Sequence, residues 1–228
     1  MLDLCDCSNG VAFCHSDCIL GTRDPSVVFA AIVSFLQDNL SEVILLEFQV
    51  EPGSDMFDLF DIMREVDGFV DMMYEHPDTS SNWPLMSQLV DDNKRILVFQ
   101  HRGPNCQLAG QCPEGFHSTY DYMFETLFSL DSAEELLAYP NSCQVQTGQS
   151  DADFFILNHF AGSSTSFFPE ESTALEVNQI NALTSRVEAC SELYSGRIVN
   201  FIAVDFWSLG DTVEFVQEYN KGFEPASF

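Results

Sequence analysis

Met1-Leu-Asp-Leu-Cys-Asp-Cys-Ser-Asn-Gly-Val-Ala-Phe-Cys-His15 is the stretch against which the rest of the chain is read. Met1 to Leu4 reads as the end of a strand, with Asp3 interrupting an apolar run. Asp6 to Gly10 is dense in turn formers, and Asn9-Gly10 is a strong short-range hairpin signal. Val11 to Cys14 reads as the return strand, which delivers His15 just past its end. A carboxylate at one strand tip with an imidazole close by across a tight turn is a pairing that acid–base chemistry can use. No run-up and no cap precede this strand, so the expectation is a chain that starts in the middle of a domain.

Downstream, strands and helices alternate. Asp24-Pro25 opens a helix with a capping side chain and a proline at the first helical position, and Val28, Ile32, Phe35 and Leu36 line one face to about Asn39. Glu42 to Phe48 is a short continuous apolar run of the kind that forms a parallel strand covered on both faces, with Glu47 near its C-terminal end. A second amphipathic helix starts at Ser54, and Asn82-Trp83-Pro84 introduces a shorter one to about Val90. Arg95 to Gln100 is the next strand, ending at His101-Arg102. Tyr120–Phe128 and Ser132–Tyr139 read as helices, and residues 140–152 as polar loop. Asp153 to Phe160 is a strand with Asn158 and His159 at its exit. Ile180 to Tyr194 keeps helical spacing, and Val199 to Phe206 is a buried strand with Asp205 at its end. Asp211-Thr-Val-Glu214 resembles a capping box for a last helix that Gly222 stops.

That alternation specifies an α/β fold with a parallel sheet. Polar residues recur at strand C-termini: Asp3, Glu47, Arg102, Asn158, His159 and Asp205. In a closed (β/α) barrel such ends converge on one face, where barrel enzymes place their chemistry. The glycine fingerprint of a dinucleotide-binding open sheet is absent. A single TIM-type barrel domain over 1–228, lacking its first strand and helix, is therefore the expected architecture.

Charge excludes some functions. Thirty-six acidic against 8 basic residues give a net charge of −28, the opposite of what nucleic acid requires of a partner. Peripheral contact is the most that a lipid membrane would receive. Eight cysteines without a C-x-x-C pair point to disulfides in an oxidising compartment more than to zinc, with no pairing deducible. Asn39-Leu40-Ser41 is a glycosylation acceptor pattern that agrees with an extracellular or secretory-pathway protein. The chain shows no signal peptide.

In this order, the motifs resemble the phosphatidylinositol-specific phospholipase C X-domain superfamily, most closely its small secreted-type eukaryotic members. The matching segments are Met1-Leu-Asp3 with Asp6, Asn9 and Cys14-His15-Ser16, then LSEVILLE ending at Glu47. Asn82-Trp83-Pro84 with RILVF, FILNHF, and Asn200-Phe-Ile-Ala-Val-Asp205-Phe complete the set. The resemblance implies a distorted TIM barrel that cleaves a lipid phosphodiester through a cyclic phosphate. It also implies a first imidazole ahead of Met1 that deprotonates the attacking hydroxyl, and a second, His15, that protonates the leaving oxygen. Asp205 resembles the carboxylate that orients the first imidazole, and Asp3 and Glu47 resemble ligands to calcium. Arg102 at a strand end is the best protein cation for the negative charge that gathers on phosphorus-bound oxygens, and Asn158 and His159 are read as substrate contacts. The substrate implied is a phospholipid or inositol-phosphate diester. Two other functions fit the same residues: a glycerophosphodiester phosphodiesterase, and an inactive barrel acting as an extracellular binding protein.

Overall fold

The computed structural model describes residues 1–8, 10–15, 17–51, 53–101, 112–162 and 169–223. Arg102, Cys106 and the Phe167-Phe168 pair therefore lie outside the described residues. The chain divides into two compact units, Met1–Asp121 and Tyr122–Phe228.

The first unit carries β1 (Leu2–Cys7), β2 (Gly10–Cys14), α1 (Pro25–Asp38), β3 (Ile44–Val50), α2 (Met56–Glu65), α3 (Met86–Asp91), β4 (Ile96–Gln100) and β5 (Phe116–Ser118). Its sheet has the order β2-β1-β3-β4-β5. The hairpin is present but longer than the sequence suggests. β1 runs on to Cys7 and pairs antiparallel with β2, so the turn shrinks to two residues. β1 also pairs in parallel with β3 through Leu2, Asp3 and Leu4, and β3, β4 and β5 continue in parallel. The outer edge of β1 is thus covered by its own hairpin partner, which leaves fewer unpaired backbone groups exposed. One disulfide, Cys5–Cys14, joins the two strands of the hairpin, and a second, Cys7–Cys18, staples the hairpin to the turn that follows it.

Side chains alternate across these strands. Leu2, Leu4, Ile44, Leu46, Phe48, Ile96, Val98 and Phe116 pack on one face with Phe29, Val33 and Leu36 of α1 and Leu59 and Met63 of α2. Phe48 lies against Phe13, Phe29 and Phe116 at centroid separations of 5.8, 6.4 and 6.4 Å. Burying each such ring contributes about 1.5–3 kcal/mol. α1 starts as expected, with Asp24 accepting from the Ser26 N–H at 2.9 Å. Its other end is closed by the buried Arg95, which donates to the carbonyls of Leu36 and Asn39 at 2.9 and 3.0 Å. The opposite face of the sheet takes the odd-numbered residues of β1, β3 and β4 together with His117, and holds the polar groups considered below.

A turn, α4 (Thr119–Tyr122), leads into the second unit. That unit contains β6 (Met123–Thr126), α5 (Ala133–Leu136), β7 (Val145–Thr147), β8 (Phe154–Asn158), α6 (Glu171–Val177), α7 (Ile180–Leu193), β9 (Phe201–Ala203) and α8 (Thr212–Lys221). The sheet order is β7-β6-β8-β9, with β6, β8 and β9 parallel. Three expectations change here. Of the helix read over Tyr120–Phe128 only Tyr120–Tyr122 are helical and Met123–Thr126 form strand β6, because a short buried apolar run carries no period that separates helix from strand. The polar loop contains β7, an edge strand antiparallel to β6. Asp211 does not cap α8 with its side chain; its Oδ2 instead accepts the Ile180 N–H at 3.0 Å and caps the start of α7. Cys143–Cys190 ties the segment before β7 to α7. Among the described residues no helix is long and apolar enough to cross a membrane.

Candidate active site

The hairpin and the parallel pairing together set one row of polar positions. Asp3 lies level with Gln49 on β3, and Phe48 lies level with Gln100 on β4. By the same register Gln49 is level with His101, whose backbone N–H donates to the Phe48 carbonyl at 2.9 Å. Although Asp3 stands near the start of β1, it therefore sits at the level of the C-terminal ends of β3 and β4. Glu47 lies one step below Gln49 on the same face.

Two imidazole–carboxylate pairs occupy this row. Cys14 is directly opposite Asp3 across the hairpin, so the next residue, His15, swings back over Asp3. His15 Nδ1 is 3.5 Å from Asp3 Oδ2, with the His15 side chain 66% exposed and that of Asp3 15%. The pairing foreseen from the sequence is present, and its imidazole faces solvent. The second pair was not foreseen. His101 Nε2 is 2.8 Å from Glu47 Oε1, and the two side chains are 19% and 14% exposed. On the ring's other side, His101 Nδ1 is 3.4 Å from the Tyr120 hydroxyl. The sequence signal for His101 was its place directly after a buried strand, one strand over from Glu47.

Behind the row, the same sheet face is filled by aromatic and imidazole rings. His76 stacks on Trp83 at 4.0 Å, and Trp83 and His117 both pack on Phe99. His117 belongs to β5 and is wholly buried. Its Nε2 accepts the His76 N–H at 2.9 Å, and its Nδ1 lies 2.8 Å from the Val98 carbonyl. Desolvation holds its pKa down at about 4. With both nitrogens satisfied inside the sheet, it acts as a structural imidazole.

The other sequence candidates lie in the second unit. Asn158 is buried, and its Nδ2 donates to Glu125 Oε2 at 2.9 Å and to the Thr126 carbonyl at 2.8 Å. His159 is fully buried, with Nε2 bonded to the Val177 carbonyl at 2.8 Å, and desolvation lowers its pKa to about 4. Asp205 lines a small cleft with His159, Glu170 and Asn178, and its carbonyl accepts from Asn178 Nδ2 at 3.0 Å. Here the structure brings Asp205 and His159 together, with Asn158 and His159 committed to internal bonds. Under them, buried Arg186 donates to the Leu136, Ser142 and Asn158 carbonyls and to the Ser142 hydroxyl. Burial pulls its pKa to about 10. Arg102, the sequence's cation, lies outside the described residues.

Asp3 and Glu47 offer the hard carboxylate oxygens that calcium prefers, but calcium takes 6–8 oxygen ligands. Each of the two carboxylates already faces an imidazole. Among the described residues no group of three or more His, Cys, Asp or Glu could hold a metal ion. Asp3 and Glu47 do not by themselves make a calcium site.

The first unit thus carries two imidazole–carboxylate pairs at the ends of parallel strands, groups that acid–base chemistry can use. The family model described as PI-PLC X 1 matches residues 5–220, and the chain belongs to that family. It is 26% identical over 219 residues to a PI-PLC X domain-containing protein of Arabidopsis thaliana, a match spanning 92% of this chain and 48% of that protein. It is 25% identical over 224 residues to a protein of Arthroderma benhamiae named as an uncharacterized secreted protein, spanning 89% and 48%. The chain thus spans about half the length of these curated relatives. No solved structure matches it.

Proposed function

We propose that this chain hydrolyses the phosphodiester of a phospholipid or inositol-phosphate diester, by attack of a neighbouring headgroup hydroxyl to give a cyclic phosphate. The observation that carries this reading is the Asp3–His15 pair at the level of the β3 and β4 ends. The leaving alkoxide of a lipid is a poor leaving group and needs a proton as the P–O bond breaks. His15 is held by a carboxylate on one nitrogen and open to solvent, so it can present its other nitrogen to that oxygen. Asp3 fixes the ring's orientation, as the third member of a catalytic triad does. A (β/α) barrel is the fold proposed with this activity, supported by the parallel pairing of β1-β3-β4-β5 and of β6-β8-β9. The disulfides Cys5–Cys14, Cys7–Cys18 and Cys143–Cys190 and the secreted relative support an extracellular setting. The net charge of −28 supports a protein that meets lipid only peripherally and does not bind nucleic acid.

The test compares two substrates, a natural inositol lipid and a diester with an activated aryl leaving group. General-acid help is worth roughly 10²–10⁴ in rate. His15→Ala is expected to lose about that factor on the lipid and far less on the aryl diester, whose leaving group needs no proton. Equal losses on both would remove His15 from the proton-donor role. Absence of cleavage of any phosphodiester by the wild type would favour the non-catalytic binding role.

A further inference from the structure

We propose that Glu47 serves His101 and not a metal ion, so that Glu47, His101 and Tyr120 form a second substrate-contacting group and the phosphodiester is held without calcium. This rests on reading the row as a phosphodiester site.

The geometry fixes the ring. Glu47 Oε1 is 2.8 Å from His101 Nε2, a full hydrogen bond, and a carboxylate accepts without donating, so Nε2 carries the hydrogen. Both side chains are largely covered, which makes the pair more than a surface contact. A cation binding Glu47 through Oε1 would displace that N–H and leave it unpaired in a largely covered position, which disfavours two-oxygen coordination by this carboxylate. Nδ1 then faces the Tyr120 hydroxyl at 3.4 Å, with ring centroids 5.3 Å apart. That distance is long for an O–H···N bond and marks an edge where one hydroxyl can replace another. A headgroup hydroxyl next to the phosphodiester, taking the place of the Tyr120 hydroxyl, would donate to Nδ1. On the same sheet face, two strands away, Asp3 holds His15. The site then offers an imidazole to each end of the reacting group: His101 to the attacking hydroxyl and His15 to the leaving oxygen. Glu47 is a positioning residue, acting through His101.

The first experiment does not depend on activity. Calcium is titrated by calorimetry into the wild type and into Glu47→Gln, up to about 10⁻³ M, the upper range of extracellular calcium modules. No binding that depends on Glu47 is expected. Calcium binding present in the wild type and lost in Glu47→Gln would overturn the proposal. The second experiment uses the cleavage assay, with thermal melting as the check that each variant folds. His101→Gly is expected to lose about 10²-fold in kcat with a smaller change in KM, and added imidazole is expected to restore part of the loss. Glu47→Gln should lose activity too, and the double variant Glu47→Gln/His101→Gln should lose little beyond His101→Gln alone, because the two act as one unit. Unchanged kcat in both His101 variants, or a loss that imidazole leaves untouched, would overturn the dyad while leaving the phosphodiesterase reading intact. A wild type that cleaves no phosphodiester overturns that reading instead, and the calcium titration still decides what Glu47 serves.

Discussion

His101 and His159 hold the same position in the two units. Each follows a buried parallel strand by one residue, β4 in one case and β8 in the other. Each donates its backbone N–H to the neighbouring strand, to Phe48 at 2.9 Å and to Ala203 at 2.7 Å. Their side chains meet different partners. His101 finds a carboxylate and a phenol near solvent, whereas His159 is sealed against a backbone carbonyl. A strand end therefore marks where a polar side chain can be placed but not what it does there. Partner type and burial decide between chemistry and packing.

The two units should accordingly fail in different ways, and the largest expected effect lies in the second. Cys143–Cys190 closes a separation of 47 residues, against 9 and 11 for the hairpin bridges. By loop-closure entropy, its removal should cost about 4 kcal/mol, and each hairpin bridge roughly 2.5–3 kcal/mol. Chemical denaturation of the three double Cys→Ala variants checks the order. A hairpin bridge that outweighs Cys143–Cys190 would show that local geometry, and not loop length, governs them.

Next in size is Arg186, which joins four acceptors inside the second unit. Arg186→Ala leaves those groups without their donor and opens a hole, and is expected to cost about 3 kcal/mol or more. Kinetic constants normalised to folded protein should be unaffected, if the chemistry belongs to the row in the first unit. A kcat that falls while the fold persists would move the working site toward Asn158.

Acid should weaken both units together. His117 and His159 each have a folded-state pKa of about 4 because burial disfavours the charged ring, against an ordinary value of 6.5. As pH falls below 6.5 the unfolded chain takes up protons that the folded one refuses, so stability drops until about pH 4 and then levels for these groups. Between about pH 7 and about pH 5 the loss is roughly 2 kcal/mol for each ring. Urea midpoints across that interval test it, since ordinary carboxylates titrate mostly below it. Half that loss would mean that one of these rings takes up its proton in the folded state as readily as in the unfolded one, and a flat profile that both do.

The comparison also shows what the sequence could disclose. The hairpin with its His15–Asp3 pair was legible because turn formers cluster over residues 6–10 of the sequence and a tight turn fixes which residues face each other. The strands around Glu47 and at 96–100 were legible as unbroken apolar runs. The Glu47–His101 bond was not, because it depends on the register between two strands some fifty residues apart, which no local pattern encodes. β6 was mistaken for helix because Met123 to Thr126 is short and wholly buried, and so shows neither period. Asn158 and His159 were visible as polar residues at a strand exit. Their burial was not, because the Val177 carbonyl and Arg186 reach them from helices far along the chain.

The smallest expected change in stability comes where the largest change in activity is proposed. Asp3 and His15 are joined at 3.5 Å, and His15 is mostly in water. An ion pair that exposed is worth roughly 0–1 kcal/mol, because water screens the attraction and holding two side chains in one geometry costs entropy. Asp3→Asn keeps the size and can still hydrogen-bond, so its melting temperature should stay close to that of the wild type. The same change removes the carboxylate that orients the His15 ring and stabilises it when it carries a proton. Activity on a lipid diester should therefore fall by about 10²-fold or more, with a smaller loss on the activated aryl diester. The ratio of the two losses is the informative number. If Asp3 acts through His15, the ratio for Asp3→Asn should move in the same direction as that for His15→Ala, and the double variant should add little. If Asp3→Asn instead unfolds the hairpin, a shift of several degrees in melting will accompany equal losses on both substrates, and Asp3 will belong with Arg186 among the residues that hold the fold.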